Sequence, residues 1–145
     1  HLPRRQGLAQ VDRRQAGHPV ANRVKQGLTS MSADPNCIFC KIVAGQIPAT
    51  KVFEDDQVLA FHDIHPWAPV HILLIPKLHL TSMVDVGQEH RDLLGHMMVL
   101  SSRLMAELGV TNGYRHVLNT GRDGSQEVQH LHLHVMGGPR PWSKG

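Results

Sequence analysis

The chain has 145 residues, a formal net charge of +3, and 41% apolar, 19% charged and 4% aromatic residues. That length suits one domain, no apolar run approaches the roughly 20 residues of a membrane span, and two cysteines do not make a disulfide scaffold. The positive charge is local: residues 1–30 hold Arg4, Arg5, Arg13, Arg14, Arg23 and Lys25 against Asp12, so the rest is net acidic by two, which argues against nucleic acid as the main partner of the domain.

In chain order, residues 1–35 read as a disordered basic extension, with scattered Leu and Val but no period. Met31 stands as a candidate natural start, and an Arg-rich transit leader is the rival reading. Cys37–Ala44 is a short helix or turn. Lys51–Glu54 and Val58–His62 are strands joined by the acidic turn Asp55-Asp56. His65-Pro66-Trp67-Ala68-Pro69, with two prolines in five residues, is irregular. His71–Ile75 is a strand buried on both faces. Glu89–Leu108 is the one long helix, because Leu93, Met97, Leu100, Leu104 and Leu108 form a single stripe. Gly109 suits its C-terminal end. Tyr114–Asn119 is a strand, Gly121–Gly124 a turn, and His130–Met136 the last strand. The predicted class is α+β: a mainly antiparallel sheet with one long helix and a short N-terminal helix. The domain spans 36–138 and a tail 139–145.

The last strand carries the chemistry. His130-Leu131-His132-Leu133-His134-Val135-Met136 alternates imidazoles with aliphatic residues. A strand puts the three histidines on one face and anchors Leu131, Leu133 and Val135 in a core. One such histidine fits a polar sheet face; three in strict alternation suggest more. A metal is one reading, but the outer pair lie about 13 Å apart at roughly 3.3 Å per residue, so at most two neighbours reach one zinc at about 2.1 Å. Covalent catalysis is another, since neutral imidazole attacks phosphorus and a neighbouring histidine moves protons. Separately, Cys37-x-x-Cys40 points to metal or redox use in a reducing compartment.

The row matches the histidine-triad pattern, and the resemblance extends beyond it. Cys37–Ile42, Gln46–Ala49, Phe53–Asp56, Ala60–Ile64, Ala68–His71, Ile75–His79, Leu93–His96, Gly113–Arg115, Asn119–Gly121 and Gly137-Gly138 follow in family-like order. From about Asn36 to Gly138 the chain resembles the Hint branch of the histidine-triad family, the nucleotide-binding proteins.

The resemblance implies a HIT-like fold, a cytoplasmic homodimer, and cleavage of purine nucleoside 5′-phosphoramidates and acyl or aminoacyl adenylates at the α-phosphorus. It implies that His132 is the nucleophile, that His134 bonds the phosphate and bridging atom, and that His130 and His71 share the proton network. It implies phosphate contacts at Asn119 and at the backbone of Gln126, Glu127 and Val128, ribose contacts at Asp63, and base walls at Phe39, Ile42, Phe61, Ile64 and Leu73. Plainer readings stand beside these: the walls as core, Asp63 as a turn residue, Asn119 as a strand end bonding its own loop. No cofactor is expected for catalysis. In some bacterial relatives the matching positions, here Cys37, Cys40, His79 and His130, bind zinc, which implies a structural Cys2His2 site. Two free buried cysteines are the rival.

Departures qualify the match. Glu127 stands where a serine is common, and Gln129 where an aromatic is, so activity with altered leaving-group preference is expected. Trp142 resembles a tryptophan that reaches the partner subunit's site in animal relatives, but its spacing differs. A histidine at 134 rather than glutamine places the chain with hydrolases. The alternatives are a dinucleoside polyphosphate hydrolase, for which Lys77 is the main visible cation, and a nucleotide-binding scaffold with negligible turnover. A pure zinc module leaves His132 and His134 without a role.

Overall fold

The computed structural model describes residues 34–144. The expected extension and Met31 therefore lie almost wholly outside the described residues. Asp34 and Pro35, its last two positions, form the turn into the first helix, with Asn36 N–H on Asp34 Oδ1 at 2.9 Å and Cys37 N–H on the Asp34 carbonyl.

Helix α1 is Ile38–Val43. Cys37 caps it: its Sγ accepts from Cys40 N–H, so the cysteine spacing is also a helix start. Five strands follow: β1 Lys51–Glu54, β2 Val58–His62, β3 Val70–Pro76, β4 Tyr114–Val117 and β5 Leu133–Gly137. They form one antiparallel sheet in the order β1-β2-β3-β5-β4. Helix α2, Arg91–Glu107, fills the β3–β4 connection and is preceded by single 3-10 turns at Met83–Asp85 and Gln88–His90.

The sheet buries both faces, each for a different purpose. On one, Val58, Ala60, Ile72, Leu74, Leu133 and Val135 meet Leu93, Met97, Leu100, Leu104 and Met105 of α2. On the other, Leu59, Phe61, Leu73 and Ile75 meet Phe39, Cys40 and Ile42 of α1. Cross-strand register fixes which side chains share a face. Leu73 opposes His134 and Phe61, so His134 lies on the α1 side. Leu93, Met97, Leu100 and Leu104 are buried along α2 as predicted, while Leu108 is its C-cap, only partly buried, and Gly109, at φ +82°, follows with Val110 N–H returning to the Met105 carbonyl.

Two strand ends fall short of the expected bounds, each with a physical cause. The last strand was expected from His130, but the ladder begins at Leu133. Pro76 has no N–H to extend the β3 pairing. Its carbonyl is taken by the His130 side chain at 2.8 Å, and Leu131 N–H goes instead to the Leu80 carbonyl at 2.7 Å. Leu131 still enters the α2 core, as alternation requires. β4 likewise stops at Val117, two residues short of the expected Asn119, whose amide turns back to the Gly124 carbonyl.

Leu104 is 1% exposed at the centre of the α2 contact. Leu104→Ala is expected to cost about 2–5 kcal/mol, read as a lower urea midpoint at unchanged m-value.

Candidate active site

Four histidines converge where β3 and β5 meet. His71 Nε2 lies 2.9 Å from His134 Nδ1 and 3.5 Å from Asp63 Oδ2. The His132 and His134 rings are 4.9 Å apart. His71, His130, His132 and His134 are all at least 94% buried. Burial holds each below its ordinary value of 6.5, His130 and His134 at about 4, so all are neutral at pH 7.

Backbone groups then fix three tautomers directly and the fourth, that of His134, through His71. Trp67 N–H donates to His71 Nδ1 at 3.0 Å, which puts the His71 proton on Nε2. That proton points at His134 Nδ1, so His134 carries its own on Nε2. His132 donates Nδ1–H to the His130 carbonyl at 2.8 Å, leaving its Nε2 lone pair free. His130 donates Nε2–H to the Pro76 carbonyl, which turns its Nδ1 lone pair toward the cysteines.

Two cavities share His132, His134 and Glu127. The inner one, about 250 Å³, is walled by Phe39, Ile42, Phe61 and Leu73, with Asp63 and Val128 alongside. The structure thus brings all five expected apolar residues together, although Ile64 is 84% exposed and forms only the rim. Asp63 serves its turn through Oδ1, which accepts from His65 N–H at 2.8 Å, and keeps Oδ2 toward His71. The outer cavity, about 240 Å³, is bordered by Trp67, Asn119, Ser125, Gln126 and Lys144.

Two expected contacts are altered. Gln126 is fully engaged: Oε1 accepts from Gly121 N–H, Nε2 donates to the Thr81 and Val128 carbonyls, and its N–H bonds the Gly121 carbonyl. It shapes the loop and has no donor left for a phosphate. Asn119 donates one Nδ2 hydrogen to the Gly124 carbonyl at 2.7 Å, which leaves its second N–H and its oxygen. Ser125, at φ +63°, holds this loop in a left-handed turn that leads into Glu127 and Val128.

Trp67 is the residue that sequence reasoning missed. Its ring stacks on His134 at 5.0 Å and 15°, and its N–H sets the His71 tautomer. The signal was the rigid Pro66–Pro69 segment directly before β3. Trp142 lies elsewhere, in a groove of about 660 Å³ near Val110 and Arg140 that contains none of the four histidines. His90, His96 and His116 lie outside this network and bond Gly87, Asp55 and Ser101 respectively.

The second cluster joins Cys37, Cys40, His79 and His130, whose donor atoms lie within 4.8 Å of one another. Cys37 Sγ is 3.3 Å and Cys40 Sγ 3.6 Å from His130 Nδ1; Cys40 Sγ is 3.2 Å and His130 Nδ1 3.1 Å from His79 Nδ1. Tetrahedral zinc with bonds of about 2.0–2.3 Å has edges of about 3.3–3.8 Å, so this donor set fits. Burial pushes the Cys40 thiol up to about 11; a cation among these atoms would reverse that and favour thiolate.

Comparison with known proteins agrees with this geometry. A family profile described as "Scavenger mRNA decapping enzyme C-term binding" matches residues 36–144. The chain is 50% identical over 104 residues to protein HitA of Neisseria gonorrhoeae, covering 72% of this chain and 97% of that one. The chain belongs to the histidine-triad family. It is also 42% identical over 121 residues to adenylylsulfatase HINT1 of Arabidopsis thaliana, 82% of each chain. A histidine-triad protein from Clostridium difficile superposes with a TM-score of 0.71 at 46% identity, covering 74% of this chain and 95% of that one. A HIT family hydrolase from Legionella pneumophila gives 0.70 at 47%, covering 72% and 95%. The family binds nucleotides, and the chain is a nucleotide hydrolase of that family. Among the described residues no helix is long and apolar enough to cross a membrane.

The lowered histidines make stability depend on pH. Below 6.5 the unfolded chain takes up protons at His71 and His134 that the folded chain refuses. Stability is therefore full above 6.5 and lost as pH falls toward 4. His134 alone accounts for about 2 kcal/mol by pH 5. Thermal melts should show Tm falling between pH 7 and 5, and His134→Asn should flatten that slope.

Proposed function

We propose that the protein hydrolyses purine nucleoside 5′-phosphoramidates and related acyl or aminoacyl adenylates through a nucleotidyl-histidine on His132, releasing the nucleoside monophosphate. The observation that carries this is the His132 ring: neutral, held by the His130 carbonyl, with its Nε2 lone pair free at the junction of the two cavities. The apolar inner cavity suits a purine nucleoside, with Asp63 Oδ2 available to accept from ribose hydroxyls.

In this reading His132 Nε2 attacks phosphorus in line and the bond to the leaving nitrogen breaks, its electron pair staying on nitrogen. The nitrogen takes a proton and departs as amine. Water then attacks phosphorus, restores that proton, and frees His132. The His71–His134 pair, aligned by Trp67 N–H and Asp63, holds and passes protons beside the reacting bond. Glu127 and Val128 N–H groups have no protein partner among the described residues, which leaves them for the phosphate oxygens. Lys77, the cation a polyphosphate would want, is instead paired with Glu54 at 2.7 Å and borders neither cavity.

His132→Ala should abolish AMP release from adenosine tryptamine phosphoramidate, by at least about 10³-fold, while AMP binding by calorimetry persists. Turnover surviving in the variant would remove His132 from the nucleophile's role. Wild type that binds AMP but never releases it from the substrate would favour a scaffold.

Zinc at Cys37, Cys40, His79 and His130 is a structural part of the same proposal. Bound there, it would fix His130, whose carbonyl orients His132. Purified protein should carry one zinc per chain by plasma mass spectrometry, and Cys40→Ser should lose it and lower Tm. A homodimer is also inferred, because edge strand β4 leaves one side unpaired beside exposed Met98 and Val99 of α2. Sedimentation should give twice the chain mass.

A further inference from the structure

Trp67 meets both members of the His71–His134 pair. Its indole lies 5.0 Å from the His134 ring at 15°, a stacked arrangement, and 5.2 Å from the His71 ring at 54°. Its backbone N–H fixes the His71 tautomer. One residue thus covers two rings with its side chain and aligns one of them with its main chain. Trp67 is itself half-buried and borders the outer cavity, so the indole stands between solvent and the pair. The segment is built to hold it there. Pro66 and Pro69 bracket it with fixed φ angles. Ser143 N–H donates to the Trp67 carbonyl at 2.8 Å, and Ser143 Oγ–H to the Pro66 carbonyl at 3.3 Å. The charges facing His134 come from several elements. Asp63, after β2, favours its imidazolium, while His71 of β3 and His132 of β5 oppose it. Glu127 and Lys144 border the same cavity, one of each sign, and the Lys144 ammonium is 5.0 Å from the Trp67 ring centre. With both signs present, burial has the largest influence on the ring.

We propose that Trp67 is a positioning residue for the reaction: its indole closes the His71–His134 pair to water and holds the His134 ring so that Nδ1 stays an acceptor for His71 Nε2–H. The inference rests on the phosphoramidase reading above and concerns a residue that acts through His134. A protonated His134 presents a second N–H to His71 Nε2–H, and two donors face to face part the pair. Removing the indole admits water, which favours the imidazolium. In the intact site His134 stays neutral down to about 4; without cover it returns toward its ordinary 6.5. The sign follows: activity that needs neutral His134 is lost as pH falls, and the loss begins at higher pH once the indole is gone.

The test follows two readouts in wild type, Trp67→Phe and Trp67→Ala. NMR of 15N-labelled histidine gives the titration midpoint of His134 without substrate. The pH profile of kcat/KM for AMP release from adenosine tryptamine phosphoramidate gives the acid limb. Trp67→Ala should raise the His134 midpoint by at least about one unit, while that of His132, which lies against Phe39, stays in place. Between pH 7.5 and 5.5 this variant should lose about 5-fold in kcat/KM, and wild type less than about 2-fold. AMP affinity at pH 7.5 should change little, because Trp67 does not line the inner cavity. Trp67→Phe keeps a flat apolar face and should restore both midpoint and limb. If Trp67→Ala does not fold, Trp67→Leu takes its place, with a shift of at least about half a unit expected. A His134 midpoint unmoved in the folded variant, or moved as far by Phe as by Ala, would overturn the proposal and leave the phosphoramidase reading intact. Wild type that releases no AMP would overturn that reading, and the positioning role with it.

Discussion

The hydrogen bond from His130 Nε2 to the Pro76 carbonyl organises the rest of the molecule. Because proline offers no N–H, the β3–β5 ladder cannot continue past this point, and the side chain of His130 occupies the acceptor that a strand would have used. The ring is thereby turned so that Nδ1 faces Cys37, Cys40 and His79. The backbone of the same residue presents its carbonyl to His132 Nδ1. One interaction at the end of a strand thus sets a four-donor cluster on one side and the tautomer of the triad's middle histidine on the other.

The site works by withholding charge rather than concentrating it. Four imidazoles packed among Phe39, Trp67 and the apolar sheet face are kept neutral by desolvation, which outweighs the pull of Asp63 on His71 and of Asp63 and Glu127 on His132. Neutral rings keep lone pairs, and lone pairs are what attack at phosphorus or proton transfer requires. Exposing the network to water would raise its affinity for protons and occupy those lone pairs.

Alternation, turn residues and the helical stripe made the sheet, α2 and the core legible from the chain alone, because each depends on local period. The bounds of β1 and β2 and the burial of Leu131, Leu133 and Val135 are such cases. The strand end at His130 was not legible, since it depends on a side chain from a distant residue capturing the Pro76 carbonyl. Gln126 was read as facing phosphate, but its donors are spent on Thr81, Val128 and Gly121, contacts no spacing rule contains. Trp67 looked like loop filler between prolines. Its stacking on His134 comes from the pairing of β3 with β5, and the nearness of Lys144 from the chain after β5 folding back onto that loop.

The two cavities meet at three residues, His132, His134 and Glu127, and otherwise draw on different parts of the chain. The inner one is built from α1, β2 and β3, whose side chains are also core; substitution there is constrained by folding. Much of the outer one comes from two loops and the segment after β5, with Ser125, Glu127 and Lys144 exposed. Descent with modification therefore meets unequal resistance in the two cavities. The outer lining can be renegotiated among lineages at little structural cost, while the inner one stays tied to the architecture that keeps the protein folded.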